Sequence, residues 1–157
     1  MTAGLAIADD AFAAMVAHAQ AASPREACGF LAGPTRSCAT AVLPLENVAE
    51  SPETRFESSA GSTLAAYRTL RDRRWELVAV YHSHPTSPAE PSATDLDRHD
   101  LPGTPAVIVS LAGGAVDVRG WDLDARPPRA IAVTRVPPAP PTAGSAGAAS
   151  PTSAAGG

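Results

Sequence analysis

The apolar run Leu77-Val78-Ala79-Val80-Tyr81 leads straight into His82-Ser83-His84-Pro85. A short apolar run bounded by polar residues reads as a buried strand, here the central strand of the fold. Residues i and i+2 of a strand share a face, so His82 and His84 project from one strand end toward one point. Pro85, Pro88 and Pro91 restrain the loop that follows. Ser92-Ala93-Thr94-Asp95 then reads as the first turn of a short helix, with Ser92 and Asp95 spaced as a capping box. From there Asp95 can swing back to the two imidazoles. Two imidazoles and a carboxylate, with no fourth ligand nearby, fit a catalytic zinc ion that keeps a position for water; structural zinc sites are closed by four ligands.

Each part also has a plain reading. A His-x-His pair is common, and Ser92 with Asp95 could do no more than cap a helix. The conjunction, at the end of a hydrophobic strand where functional sites tend to sit, points to metal. A second segment lies upstream, Ser23-Pro24-Arg25-Glu26-Ala27-Cys28-Gly29-Phe30-Leu31-Ala32-Gly33. Glu26 precedes a short strand, Gly29 to Ala32, and alone reads as a solvated loop carboxylate. Zinc hydrolysis needs a base beside the activated water, and a Glu from another strand could supply it. Ser83 and Ser92 are not read as nucleophiles, because neither has the His–Asp relay that activates a serine. Ser83 is read as packing or as support for its neighbours.

Glu26, His82-Ser83-His84-Pro85 and Ser92-Ala93-Thr94-Asp95 together resemble the JAMM (MPN+) metallopeptidase family. The resemblance covers roughly residues 3 to 136. Glu26-Ala27-Cys28-Gly29, Leu31-Ala32-Gly33-Pro34, Glu46-Asn47-Val48-Ala49 and Tyr81-His82-Ser83-His84 are similar to its compact bacterial branch. That branch includes the cysteine peptidase of a ubiquitin-like sulfur-carrier protein. The resemblance implies one Zn2+ per chain on His82, His84 and Asp95. It implies Glu26 as general base and Ser92 as the group that steadies the tetrahedral oxyanion. It also implies the JAMM/MPN fold, similar in outline to cytidine deaminase. Deaminase chemistry itself is disfavoured, since zinc deaminases use Pro-Cys-x-x-Cys and this chain has none.

The remaining chain fits one α/β domain over residues 1–136, a mixed sheet flanked by helices. Leu5 to Ile7 begins a strand. Asp9 or Asp10 is expected to cap a helix to about Ala22, with Phe12, Met15, Val16 and Ala19 on one face. His18 on that helix is read as structural or exposed. Gly29–Ala32 and Ala39–Leu45 read as paired strands around a Gly33-Pro34 turn. Residues 46–57 look irregular. A helix is expected over Ser62–Arg74 with Leu64, Tyr67 and Leu70 inward, then the strand Trp75–Tyr81. A short helix over Ser92–His99 follows, with His99 read as a surface residue. Ala106–Leu111 and Ala115–Trp121 read as a hairpin around Gly113-Gly114, and Ala130–Val136 as a last strand. Residues 137–157 are rich in Pro, Ala, Gly and Ser with no charge and no aromatic, the composition of a disordered tail.

A net charge of -4, with only Arg71-Asp72-Arg73-Arg74 as a basic cluster, argues against nucleic acid. That cluster suits a helix C-terminus. No apolar run reaches transmembrane length, and the start lacks a signal-peptide pattern. The two cysteines, Cys28 and Cys38, do not make a disulfide framework, and free thiols in a cytoplasmic setting are expected. The expected partner, implied by the resemblance, is a ubiquitin-like sulfur carrier ending in Gly-Gly. Hydrolysis after that Gly-Gly would release cysteine or a capping residue. Alternatives are a deubiquitinase-like isopeptidase, a zinc amidohydrolase of small metabolites, and a non-catalytic MPN binding module.

Overall fold

The structure, a computed structural model, describes residues 4–138. In chain order the elements are β1 (Leu5–Ala8), α1 (Asp9–Ala22), β2 (Cys28–Gly33), β3 (Cys38–Ala39), β4 (Ala41–Leu45) and α2 (Ala60–Arg73). They continue with β5 (Glu76–His84), α3 (Ala93–Asp97), β6 (Ala106–Ser110), β7 (Asp117–Asp122), β8 (Arg129–Ile131) and β9 (Val133–Val136). The expected α/β class holds, but the strands form two sheets rather than one. The larger has six strands in the order β4-β2-β5-β6-β7-β8, with β5 and β6 parallel and the other neighbours antiparallel. The smaller is parallel, in the order β3-β1-β9.

The division comes from two single-residue breaks. The strand expected over 130–136 is interrupted at Ala132, so that β8 extends the larger sheet and β9 pairs with β1. The strand expected over 39–45 is interrupted at Thr40, whose N–H donates to the Ala32 carbonyl at 2.8 Å. Breaks this short leave the apolar pattern unchanged, which hides them in the sequence. The tail expected from Pro137 lies, from residue 139 on, outside the described residues.

Strand alternation assigns the two faces of the larger sheet. Leu31, Ala79, Tyr81, Val107 and Val109 share a core with Met15 and Ala19 of α1. Cys28, Phe30, Ala32 and Leu45 share the other with Ala66 and Leu70 of α2. Tyr81 is buried, and its hydroxyl meets His18 Nδ1 at 2.6 Å, which makes His18 a structural partner. Gly29 faces this ring across the β2–β5 pair, and a methyl there would overlap it. With Tyr81 directed to the α1 side, His82 and its i+2 neighbour His84 fall on the α2 side.

Two helix expectations are corrected. Helix α1 starts directly after β1, so Ala8 is its N-cap and makes no side-chain cap. Asp9 and Asp10 lie in the first turn instead, where the helix dipole favours them. Helix α2 begins at Ala60, capped by Ser59, which accepts from the Ser62 N–H at 3.1 Å. Leu70 is buried as expected, but Leu64 is 52% and Tyr67 41% exposed. The small Ala66 and Leu70, four residues apart, set the buried stripe; at 100° per residue Leu64 falls nearly opposite it. Elsewhere the outlines are close. Phe12, Met15, Val16 and Ala19 pack inward, and β6 and β7 pair around Gly113-Gly114, both at positive φ. Cys28 and Cys38 are free thiols.

Candidate metal centre

The chain reaches the site from three directions. Strand β5 lies between β2 and β6 and carries His82 and His84 at its C-terminal end. His84 faces Ser110 in the parallel register, and its carbonyl accepts from the Leu111 N–H at 3.0 Å. The Pro-rich loop then folds back over the strand end. His84 Nδ1–H donates to the Pro88 carbonyl at 2.7 Å, which turns Nε2 toward Asp95. Two further bonds pin this loop: Ser110 Oγ–H to the Ser87 carbonyl at 2.6 Å and Trp121 Nε1–H to the Ala89 carbonyl at 2.9 Å. The loop delivers Ser92 as the N-cap of α3. Ser92 Oγ accepts from the Asp95 N–H at 3.1 Å, and Asp95 Oδ2 accepts from the Ser92 N–H at 2.8 Å. The expected capping box is therefore present.

His82 Nε2 and His84 Nε2 lie 3.1 Å apart; His82 Nε2 lies 3.2 Å from Asp95 Oδ1, and His84 Nε2 lies 3.2 Å from Asp95 Oδ2. All three residues are buried. Donors held at about 2.0–2.1 Å by a tetrahedral ion stand about 3.3 Å from one another. The two imidazole nitrogens, and each nitrogen with its own carboxylate oxygen, therefore stand at the spacing a first-row divalent ion requires. Burial pushes Asp95 toward the neutral form, but hydrogen bonds with His82 and His84 win and hold it well below the usual carboxylate range. Burial likewise disfavours a charged His84, yet its bonds to Asp95 and Pro88 leave its pKa raised. An anionic carboxylate between two imidazole nitrogens is a site prepared for a cation. Phe56 stacks on His82 with ring centroids 4.6 Å apart and forms the wall beside it.

Glu26 arrives from the turn before β2. Ala27, its neighbour, is clamped to the middle of the His-Ser-His segment. Its N–H donates to Ser83 Oγ at 2.7 Å, and its carbonyl accepts from the Ser83 N–H at 2.9 Å. Ser83 thus supports its neighbours, as expected, by joining the Glu26 segment to the two histidines. Asn47 is a second anchor, a role the sequence reading did not assign. Its Nδ2 donates to the carbonyls of Glu26 and Arg55, and its Oδ1 accepts from the N–H groups of Ala49 and Glu57. An asparagine within an irregular segment was the only signal in the sequence; its burial, which demands several partners, shows only in the structure.

The Glu26 side chain is buried rather than solvated, only 5% exposed, and its Oε2 has no hydrogen-bond partner among the described residues. Burial raises its pKa to about 7; the charge of His84 opposes the rise and that of Asp95 adds to it. A buried carboxylate oxygen left unpaired costs roughly 1–3 kcal/mol or more. A proton-bearing group bonded to Oε2 is what would satisfy it. The donor set and this orphan oxygen both fit a metal ion with an associated water. His99, by contrast, is neither in the cluster nor at the surface. Its ring is buried against Asp124, with Nε2 3.1 Å from Oδ1.

Residues 8–124 match the family described as prokaryotic homologs of the JAB domain. The chain belongs to this family. Among curated relatives of this JAB-domain protein is the desampylase of Haloferax volcanii, 35% identical over 114 residues, which span 69% of this chain and 82% of the relative. Another is the CysO-cysteine peptidase of Mycobacterium tuberculosis, 39% identical over 107 residues, or 68% of this chain and 73% of the relative. A protein of Desulfitobacterium hafniense with a known solution structure superposes on the JAB-domain chain with a TM-score of 0.75 at 27% identity. That match covers 85% of this chain and 93% of the other.

Proposed function

We propose that this JAB-domain protein is a zinc peptidase. It hydrolyses the amide bond that follows the C-terminal Gly-Gly of a ubiquitin-like sulfur carrier and releases the attached residue. The observation that carries the reading is the pairing of the His82–His84–Asp95 cluster with a buried Glu26 whose Oε2 has no partner among the described residues, in a chain similar to a CysO-cysteine peptidase. The unit that acts is residues 1–136, with one zinc per chain on His82, His84 and Asp95, working in the cytoplasm. Among the described residues no helix is long and apolar enough to cross a membrane.

Zinc held there would supply a Lewis acid and a water acidified to about pKa 7. The rest falls to the chain. Glu26, with its carboxyl at about 7, is matched to take one proton from the attacking water and pass it to the departing amine. Ser92 uses an oxygen lone pair for its cap, which leaves its O–H hydrogen to donate to the developing oxyanion. Asp95 and His84, fixed by the capping box and by Pro88, hold their donor atoms without reorganisation. Two glycines before the scissile bond let the carrier tail lie extended against the sheet, bonded through its backbone.

The test is mass spectrometry of a carrier extended by one residue beyond Gly-Gly, incubated with zinc-loaded protein and with its Glu26→Gln variant. Loss of the added residue with the wild-type protein alone supports the proposal. An intact carrier in both reactions refutes it.

A further inference from the structure

A cavity of about 150 Å³ opens directly beside the candidate metal centre, on the α2 face of the larger sheet. His82 and Asp95 form the wall nearest the centre, and Phe30, Phe56, Tyr67 and Leu101 are among the residues that complete it. The walls are mainly apolar. An apolar protein cavity of about 150 Å³ is large enough to take a benzene ring. The proposed carrier tail offers nothing to fill such a space at the scissile bond, because glycine has no side chain. The residue preceding the two glycines stands about 7 Å back along an extended strand. The residue on the other side of the bond is adjacent to it, and so adjacent to the wall made by His82 and Asp95.

We infer that this cavity receives the side chain of the released residue, and that it selects an apolar side chain of leucine or phenylalanine size over alanine or cysteine. The inference rests on the carrier-peptidase reading and narrows its substrate. A cysteine side chain would leave much of the cavity unfilled and forfeit the contacts of its walls. Tyr67 gives the cavity a wall that is part rigid ring and part solvent-exposed. Its ring is set edge-on against Phe30 with centroids 5.2 Å apart. Thr63, one helical turn before Tyr67, also lines the cavity and bonds Ser58 Oγ at 3.0 Å.

The experiment is a series of carriers ending Gly-Gly-X, with X alanine, cysteine, leucine or phenylalanine, cleaved by the zinc-loaded protein. The expected kcat/KM for leucine or phenylalanine exceeds that for alanine by about tenfold or more, with cysteine close to alanine. Thr63→Leu, which projects volume into the cavity, is expected to reduce that ratio severalfold. Thr63→Val, which removes only the hydroxyl, should preserve it. Equal rates across the series overturn the inference. So does a Thr63→Leu effect that follows the residue before Gly-Gly rather than X, which would assign the cavity to the carrier. A readout without turnover accompanies the series: NMR shifts of the Thr63 and Tyr67 amides in zinc-loaded Glu26→Gln, titrated with free L-phenylalanine or glycine. Shifts with phenylalanine alone support the cavity even where no carrier is cleaved, an outcome that refutes only the carrier reading. Equal responses to both amino acids refute the cavity.

Discussion

Replacing Glu26 by Gln separates the catalytic role proposed for this residue from its effect on folding. The buried carboxyl titrates at about 7 rather than at its ordinary 4.5. At about 1.4 kcal/mol per pH unit, ionising it inside the metal-free fold costs about 3 kcal/mol more than in the unfolded chain. The sign follows from proton binding. Between pH 4.5 and 7 the folded state holds the Glu26 proton while the unfolded state has lost it, so stability falls as pH rises through this window. The contribution is fully present below 4.5 and gone above 7. The amide of the Glu26→Gln variant does not titrate, and the variant therefore lacks this slope. The absolute stabilities are less informative, because a buried amide brings unpaired groups of its own. The difference in slope is the more direct quantity, since Asp95 and His84 are present in both proteins and only their coupling to the Glu26 charge is lost. Urea unfolding of chelator-treated protein at several pH values from about 4.5 to 8 measures it. The wild type should lose about 3 kcal/mol relative to Glu26→Gln across this range. Parallel curves would mean that Glu26 is solvated and is not a tuned base. With zinc restored, the same variant should bind metal normally and turn over carrier at least about 100-fold more slowly, the scale of a lost general base.

Other perturbations probe the surrounding framework. His84→Ala or Asp95→Ala should abolish both metal binding and turnover, as read by metal analysis and the carrier assay. Ser83→Ala leaves the Ala27 N–H without its acceptor and should cost about 1–3 kcal/mol in urea unfolding. Turnover should fall with it as the Glu26 segment loosens. Gly29→Ala drives a methyl into the Tyr81 ring and should cost about 1–3 kcal/mol, with metal affinity retained in the folded fraction. Removing zinc with a chelator should lower the melting temperature by an amount that grows with the zinc concentration of the reference sample.

The geometry of the candidate site was legible because it rests on short-range rules. The period of two that brings His82 and His84 to one face holds in β5, and the spacing of Ser92 and Asp95 makes the capping box found at α3. What the sequence concealed depends on distant partners. Nothing local shows that Leu5–Ala8 will pair with Val133–Val136 across most of the chain. Leu64 and Tyr67 are expected inside together with Leu70, whereas the buried stripe of the helix runs through Ala66 and Leu70. Glu26 reads locally as a loop carboxylate, whereas bonds to Asn47, Pro52 and Ser83, all remote in sequence, hold its segment in place. His99 reads as a surface group because its partner, Asp124, lies far along the chain.

Diffraction from zinc-grown crystals, recorded on both sides of the zinc absorption edge, addresses the ion directly. One anomalous peak per chain is expected, about 2 Å from the His82 and His84 Nε2 atoms and from an Asp95 oxygen, with a solvent oxygen between the peak and Glu26. A map without a peak at that triangle, or with its only peak elsewhere, contradicts the account.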